Sequence, residues 1–171
     1  ALAPCSPFSV TPELMRATAE MANKSGVALH THLAETEDEE AFCIAKYGVR
    51  PIEFLDDCDW LNPRAWFAHS VHLTQQEILL LGSRQCGVSH CPSSNMVLSS
   101  GVCKVKELTT AGVAVGLAVD GSASNDHSNL IQEARQAFLL QRLFNSDFTH
   151  LDALRMATLG GSEVLSRPEL G

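Results

Sequence analysis

Four short apolar runs divide the chain, and each leads into a polar side chain. They cover residues 26–33, 65–70, 87–91 and 113–120. The runs lack the strict alternation of apolar and polar residues that marks a strand with one face in water. They are typical of parallel strands that are covered on both faces. The pattern therefore predicts four buried parallel strands.

Longer stretches with helical spacing separate these runs. Thr11 and Pro12 form an N-terminal helix signal, Thr74 and Glu77 match the reciprocal capping pattern, and Gly48 is typical of a helix end. The last predicted helix is ended by two consecutive glycines at 160 and 161. Helices are predicted over residues 12–21, 37–47, 51–55, 75–81, 105–111, 129–144 and 149–158.

Alternating strands and helices predict an α/β architecture with a parallel sheet and right-handed crossovers. The chain contains no internal repeat, low-complexity segment or linker. We therefore expect one domain.

Composition narrows the class of protein. Of 171 residues, 45% are hydrophobic and 19% are charged, which suits a packed core rather than a disordered chain. The net charge of -8 argues against a nucleic-acid partner or an anionic membrane surface, since both need clustered Lys and Arg. No apolar run is long enough for a transmembrane helix. The acidic charge is compatible with a small-molecule substrate, which is the partner that we expect.

The six cysteines include no C-x-x-C pair. An even count also fits three disulfides, but that pattern belongs mainly to short secreted chains. Most of these cysteines lie in apolar or strand-like surroundings. We expect reduced, mostly buried thiols in a cytoplasmic protein.

Chemistry-bearing side chains gather where the predicted strands end. His32 with Glu35 follows the first strand, and His69, His90 and Asp120 follow the next three. Functional residues of open α/β sheets and of β/α barrels collect at the carboxyl ends of strands. Zinc accepts histidine nitrogen and carboxylate oxygen, and it lowers the pKa of bound water. The arrangement favours a metal-assisted reaction.

Each of these residues also has a purely structural explanation. A single strand histidine is more often a hydrogen-bonded core residue than a ligand. Asp120 can cap the Asp-Gly-Ser turn, and Glu35 can begin a helix. Structural explanations at four consecutive strand ends would all have to hold independently, whereas one metal site explains all of them. The metal site is therefore favoured.

Five ordered motifs carry a resemblance to a known family. The stretch His30-Thr31-His32-Leu33-Ala34-Glu35-Thr36 resembles the fifth-strand motif of the amidohydrolase superfamily, in its guanine deaminase and chlorohydrolase-like branch. Residues 67–73, 89–101 and 119–126 resemble its sixth, seventh and eighth strands, and residues 3–11 resemble the end of its fourth. The resemblance implies part of a (β/α)8 TIM-type barrel, about strands 4 to 8 with their helices.

The resemblance also implies roles for particular residues. His32 and Asp120 would be metal ligands, and the cofactor would be one divalent metal, with zinc expected and iron or manganese open. Glu35, His69 and Asp120 would be catalytic: Glu35 protonates the ring, His69 orients the attacking water or polarises the developing oxyanion, and Asp120 moves the water proton. Two further residues would contact the substrate, namely His90 and Asn95. The four other histidines would be packing, structural or solvated residues, namely His30, His72, His127 and His150.

The implied activity is hydrolytic deamination of a purine-like ring with release of ammonia. We expect 8-oxoguanine as the substrate, with guanine or a pterin as further options. Within the enzyme class, the alternatives are an S-adenosylhomocysteine-type deaminase and a chlorohydrolase or aminohydrolase of triazine-like rings. The H-x-E and P-C-x-x-C signature of the other zinc deaminase class is absent from the sequence.

The family's metal site also uses an H-x-H at the end of the first barrel strand. His30-Thr31-His32 cannot supply it, because its neighbours assign it to the fifth strand. A closed barrel needs about 250 residues. We therefore expect residues 1–171 to form one partial barrel domain, without the N-terminal strands and the small β-domain, that is inactive in isolation. The alternative from another class is a non-catalytic half-barrel module. Unpaired sheet edges would favour a homo-oligomer.

Overall fold

A computed structural model describes residues 1–170 of the chain. Its centre is a parallel sheet with the strand order β1-β2-β3-β4. Leu2 adds an isolated parallel bridge to Leu29, on the free side of β1. The strands are β1 Leu29–Leu33, β2 Ala65–His69, β3 Gly87–His90 and β4 Ala114–Leu117. The predicted fold class, a parallel α/β arrangement that forms part of a barrel, is confirmed.

Helices connect the strands, and most begin and end where local signals predict. Thr11 Oγ1 accepts a hydrogen bond from the Leu14 N–H at 3.3 Å, and Gly48 ends a helix with a left-handed φ of 77°. The helices are α1 Pro12–Ser25, α2 Glu37–Tyr47, α3 Pro51–Asp57, α4 Gln75–Ser83, α5 Pro92–Val97, α6 Val105–Thr110, α7 Leu130–Arg142, α8 His150–Arg155 and α9 Gly161–Val164, with a π-helical turn at Met156–Gly160 and a 3-10 turn at Pro168–Leu170.

The register of the sheet aligns the carboxyl ends of the strands. His32 pairs with Ala68, Ala68 with Ser89, and Ser89 with Gly116. These four residues therefore form one row across the sheet. The residues that follow this row on each strand lie at one common edge, which is where the candidate site forms.

The core lies between the sheet and the surrounding helices. Phe67 and Val88 on neighbouring strands are fully buried, as is Trp60 in the loop before β2. The Trp60 indole donates a hydrogen bond from Nε1 to the Met15 carbonyl at 3.0 Å, which ties this loop to α1. Burial on both faces of the strands agrees with their continuous apolar sequence.

The prediction for the last helix is wrong at its C-terminal end. The chain does not stop at Gly160 and Gly161 but continues through the π-helical turn into α9. A Cβ atom at position 160 would lie 2.3 Å from the Val115 carbonyl oxygen, and one on Gly116 would lie 2.9 Å from the Gly161 Cα. The glycines let this helix pack backbone against backbone on β4. Helix α5 was not predicted, because its first four residues, Pro-Ser-Ser-Asn, are typical of a turn.

All six cysteines lie in the described part of the chain as free thiols, five of them buried. Burial raises the pKa of the Cys103 thiol to about 12. The prediction of reduced, mostly buried thiols is confirmed. Between residues 1 and 170, no helix is both long enough and apolar enough to cross a membrane.

Candidate metal and catalytic site

Three of the predicted residues meet at the carboxyl edge of the sheet. His32, His69 and Asp120 place one potential ligand atom each within 4.8 Å of one another. The His32 Nε2 lies 3.8 Å from Asp120 Oδ1, and the His69 Nε2 lies 3.7 Å from Asp120 Oδ2. The two imidazole rings stack with their centroids 5.2 Å apart. Residues from β1, β2 and the loop after β4 thus form one cluster.

A backbone carbonyl orients the His32 ring. The His32 Nδ1 lies 2.6 Å from the Cys5 carbonyl oxygen, which also accepts the His32 backbone N–H at 3.0 Å. Because a carbonyl only accepts, Nδ1 carries the proton and the Nε2 lone pair faces Asp120. Metal-ligating histidines are commonly fixed in this way. Sequence analysis missed this contact, since a main-chain carbonyl leaves no residue-type signal.

Two serines hold the Asp120 carboxylate. Ser94 Oγ donates to Asp120 Oδ2 at 2.5 Å, and Ser124 Oγ donates to the same oxygen at 3.3 Å. Burial opposes ionisation of Asp120, but the hydrogen bond from Ser94, with His69 and His32 nearby, outweighs burial and lowers the pKa. The acid is therefore held ionised. Neither serine was predicted, because α5 brings Ser94 to Asp120 only in the folded chain.

His69 is fully buried, and only one of its two ring nitrogens has a hydrogen-bond partner among residues 1–170. Its Nδ1 lies 2.8 Å from Asn95 Oδ1. Its Nε2 lies 3.6 Å from Glu35 Oε2 and has no hydrogen-bond partner among residues 1–170. Ser100 Oγ donates to the other Glu35 oxygen at 3.4 Å. The predicted catalytic groups Glu35, His69 and Asp120 thus surround one small volume.

The two residues expected to contact substrate are both fully buried. Asn95 contacts His69 through its Oδ1 atom. Neither ring nitrogen of His90 has a partner within residues 1–170, and burial lowers its pKa to about 3. A substrate contact by either residue stays a prediction.

A cavity of about 360 Å³ opens beside His32 and Glu35. Its wall is completed by residues of the segment before α1 and of the first turn of α2. Those residues are Cys5, Ser6, Phe8, Thr36, Asp38 and Glu39. The cavity leaves His32 and Glu35 accessible to a small molecule.

The remaining histidines lie outside the cluster. The His30 ring is half-buried, donates a hydrogen bond from Nδ1 to the Trp66 carbonyl oxygen at 3.1 Å, and stacks on the Trp66 indole. His72 lies 2.7 Å from the Ser100 carbonyl oxygen. Two are exposed to solvent, namely His127 and His150. These positions agree with packing, structural or solvated roles.

Backbone strain is concentrated at this edge. Ala34, His69, Ser70 and Asp120 all have left-handed backbones, with φ values of 49°, 67°, 51° and 65°. Each such conformation costs about 1–3 kcal/mol for a residue with a Cβ. Four of them at the ends of neighbouring strands indicate that the fold stabilises a specific side-chain geometry there.

The donor set fits a divalent metal. It combines imidazole nitrogens and a carboxylate, the ligands that zinc accepts in catalytic sites. The buried Nε2 of His69 has no hydrogen-bond partner among residues 1–170. Because buried ring nitrogens normally have a partner, this one indicates that a bound group completes the site. His32 and Asp120 have their second atoms fixed by Cys5 and Ser94, which leaves one atom of each to bind an ion.

Sequence comparison identifies relatives along the whole chain. The amidohydrolase family profile matches residues 1–171. An 8-oxoguanine deaminase of Pseudomonas aeruginosa is 56% identical over the full chain, which covers 38% of that protein. A 5'-deoxyadenosine deaminase of Methanothermobacter thermautotrophicus is 43% identical over 96% of the chain, which covers 39% of that protein.

Solved structures share the fold. An atrazine chlorohydrolase from Arthrobacter aurescens, complexed with zinc, matches with a TM-score of 0.95 and 35% identity over 100% of this chain and 39% of its own. An adenosine deaminase from Xanthomonas campestris with bound zinc matches with a TM-score of 0.93 and 36% identity, over 98% of this chain and 39% of its own. The chain spans about two fifths of the length of these relatives. The chain belongs to the amidohydrolase family.

Proposed function

We propose that this chain is part of a metal-dependent hydrolytic deaminase that removes an exocyclic amine from a purine-like ring, with 8-oxoguanine as the substrate. One observation carries the proposal: His32, His69 and Asp120 converge within 4.8 Å, with Glu35 3.6 Å from His69 beside an open cavity. The choice of ring is supported by 56% identity to a protein named 8-oxoguanine deaminase.

His32 and Asp120 would hold the metal, and zinc is the expected ion. The donor set favours it, and two structural neighbours carry zinc. Such an ion supplies a water molecule that is a strong nucleophile near neutral pH. Iron and manganese accept the same ligand types and are the options to test against zinc.

Asp120 takes up the proton of the attacking water and later passes it to the departing amine. It is suited to this task because its pKa is lowered, so that it is ionised before the reaction begins. The hydrogen bond from Ser94 fixes the carboxylate orientation during both transfers. The overall change replaces the C–NH₂ bond by C=O and releases ammonia.

Glu35 donates a proton to the ring nitrogen next to the attacked carbon, and it takes back the hydroxyl proton of the adduct as the C=O bond forms. Protonation there makes the carbon more electrophilic and allows the tetrahedral adduct to form. His69 Nε2 hydrogen-bonds the oxygen that adds to the ring, and burial keeps competing water away from this nitrogen. Glu35 and His69 act on two atoms, the ring nitrogen and the added oxygen, that are bonded to the same carbon, which suits their separation of 3.6 Å.

On this proposal, residues 1–171 form one partial barrel domain, and further chain completes the barrel. The chain covers 38% of its 56%-identical relative, which leaves room for the first-strand ligands elsewhere in the protein. The isolated chain would be inactive and would bind zinc weakly, because two ligands cannot hold the ion as four can. We further propose that the isolated chain forms a homo-oligomer, since β4 has an unpaired edge in the described sheet until further chain completes the barrel.

The test is ammonia release by the full-length zinc-loaded protein from 8-oxoguanine, guanine and a pterin. Turnover of 8-oxoguanine with the highest kcat/KM is expected, and its absence with all three rings overturns the proposal. A chlorinated triazine is the second candidate substrate, favoured by the TM-score of 0.95 to an atrazine chlorohydrolase. Chloride release without ammonia release from the purines would assign the protein to that activity instead.

A further inference from the structure

Glu39 is a buried carboxylate to which the proposed reaction gives no role. It lies in the first turn of α2, is 4% exposed, and lines the same cavity as His32 and Glu35. Its Oε1 atom has no hydrogen-bond partner among residues 1–170. Burial raises its pKa to about 7. Burying a carboxylate costs free energy unless hydrogen bonds or ion pairs compensate for the lost hydration.

The contacts of Glu39 lead directly to Glu35. Its Oε2 accepts the backbone N–H of Glu35 at 2.9 Å, and Ala34 is the residue before that N–H. Ala34 is one of the strained left-handed residues, with φ 49°. Glu39 therefore fixes the short turn that joins β1 to α2 and carries the Glu35 side chain.

Other helices of this chain show that this contact departs from ordinary capping. In α3 and α4, the acid in the first turn accepts the N–H of the N-cap residue itself: Glu53 from Arg50 at 2.8 Å, and Glu77 from Thr74 at 2.6 Å. In α2, the N-cap residue is Thr36, yet Glu39 reaches past it to the N–H of residue 35. The Glu39 carboxylate is thus directed at the turn rather than at the helix end.

We propose that Glu39 is a positioning residue that holds the Ala34–Glu35 turn and so keeps the Glu35 carboxylate between His69 and Ser100. The inference rests on the proposed function, in which Glu35 must reach a ring nitrogen at hydrogen-bond distance. Glu35 lies 3.6 Å from His69 Nε2 and 3.4 Å from Ser100 Oγ, and neither contact is short enough to fix it alone. A displacement of about 1 Å at such a group costs about 100-fold in rate.

Three variants of the full-length enzyme test the role. Glu39→Ala removes the acceptor, and we expect kcat to fall about 100-fold with KM changed less than about threefold. Glu39→Gln keeps an oxygen acceptor for the Glu35 N–H, and we expect kcat within about fivefold of wild type. Glu53→Ala removes an exposed capping acid that does not line the cavity and serves as the matched control, with kcat unchanged. Glu39→Asp replaces the alanine variant if that variant fails to fold.

A double-mutant cycle separates positioning from general loss of structure. If Glu39 acts through Glu35, Glu39→Ala should reduce the residual turnover of a Glu35→Gln enzyme less than about threefold. Amide hydrogen exchange gives a readout without activity: the Glu35 N–H should exchange faster in Glu39→Ala and stay protected in Glu39→Gln.

Specific outcomes would overturn the inference. These are wild-type kcat in Glu39→Ala, a full 100-fold loss on top of Glu35→Gln, or a glutamine variant as impaired as the alanine variant. If the wild-type enzyme releases no ammonia from any purine-like ring, the proposed function fails. The exchange rate of the Glu35 N–H then still decides whether Glu39 fixes the turn.

Discussion

Replacing Gly160 by alanine should destabilise the protein strongly, although the residue lies in a helical segment. The added Cβ would lie 2.3 Å from the Val115 carbonyl oxygen and 3.2 Å from the Arg155 carbonyl oxygen. The Val115 oxygen belongs to the backbone of β4 and cannot rotate away. Relief therefore requires the π-helical turn and α9 to move outward from the sheet.

The neighbouring residue provides a matched control. A Cβ at Gly161 meets nothing within 4 Å, and its φ of -61° is helical. Gly161→Ala should therefore stabilise by about 1 kcal/mol, the helix preference of alanine over glycine. Gly160→Ala gains the same preference but meets overpacking that typically costs about 1–3 kcal/mol, and contact with rigid backbone places it at the upper end. We expect about 3 kcal/mol between the two variants.

Urea unfolding of both full-length variants, followed by circular dichroism, measures this difference. If both variants unfold within about 0.5 kcal/mol of each other, close packing of this segment on β4 is refuted. Equal tolerance would instead favour the original interpretation of the glycine pair as a helix end.

Three further predictions follow from the site and its surroundings. Asp120→Asn should abolish ammonia release and reduce zinc content while leaving the circular dichroism spectrum intact, because it removes a ligand and the proton acceptor together; retained turnover would contradict its role. Glu39→Gln should stabilise the protein at pH 8 by about 1–3 kcal/mol relative to wild type and by little at pH 4, as measured by urea unfolding. The sign follows because the folded pKa of about 7 lies above the ordinary 4.5, so wild type loses stability as pH rises between these values. Cys5 is the exposed thiol and should be alkylated by iodoacetamide in the folded protein, whereas the buried Cys103 should react only after urea is added; peptide mass mapping checks both.

Local chemistry explains which elements the sequence predicts well. Helix α2 begins and ends as predicted, because Thr36 caps its start and Gly48 its end within the sequence itself. The Gly160-Gly161 pair misleads, since glycine serves both helix ends and close packing, and only β4 decides between them. Helix α5 was not predicted because its Pro, Ser and Asn residues are as typical of a turn as of a helix.

The candidate site likewise contains residues that the sequence predicts and contacts that it does not. His32, His69 and Asp120 are predictable, because each lies at or just beyond the end of an apolar strand and the ends of parallel strands meet. The groups that hold them depend on tertiary contacts across 26 or 27 residues of sequence, and no local pattern indicates those. These groups include the Cys5 carbonyl beside His32 and the Ser94 hydroxyl beside Asp120.

The left-handed backbone of His69 sets thermal stability against activity at that position. Glycine adopts a φ of 67° without the steric cost that a Cβ imposes, so a glycine there would relax the strand end. It would also delete the imidazole that faces Glu35 and Asp120. Selecting a mutant library for heat resistance alone would therefore weigh this strain against the packing of the buried ring and ignore its proposed role in turnover. A screen for more robust variants has to include turnover at every round, or hold residue 69 fixed.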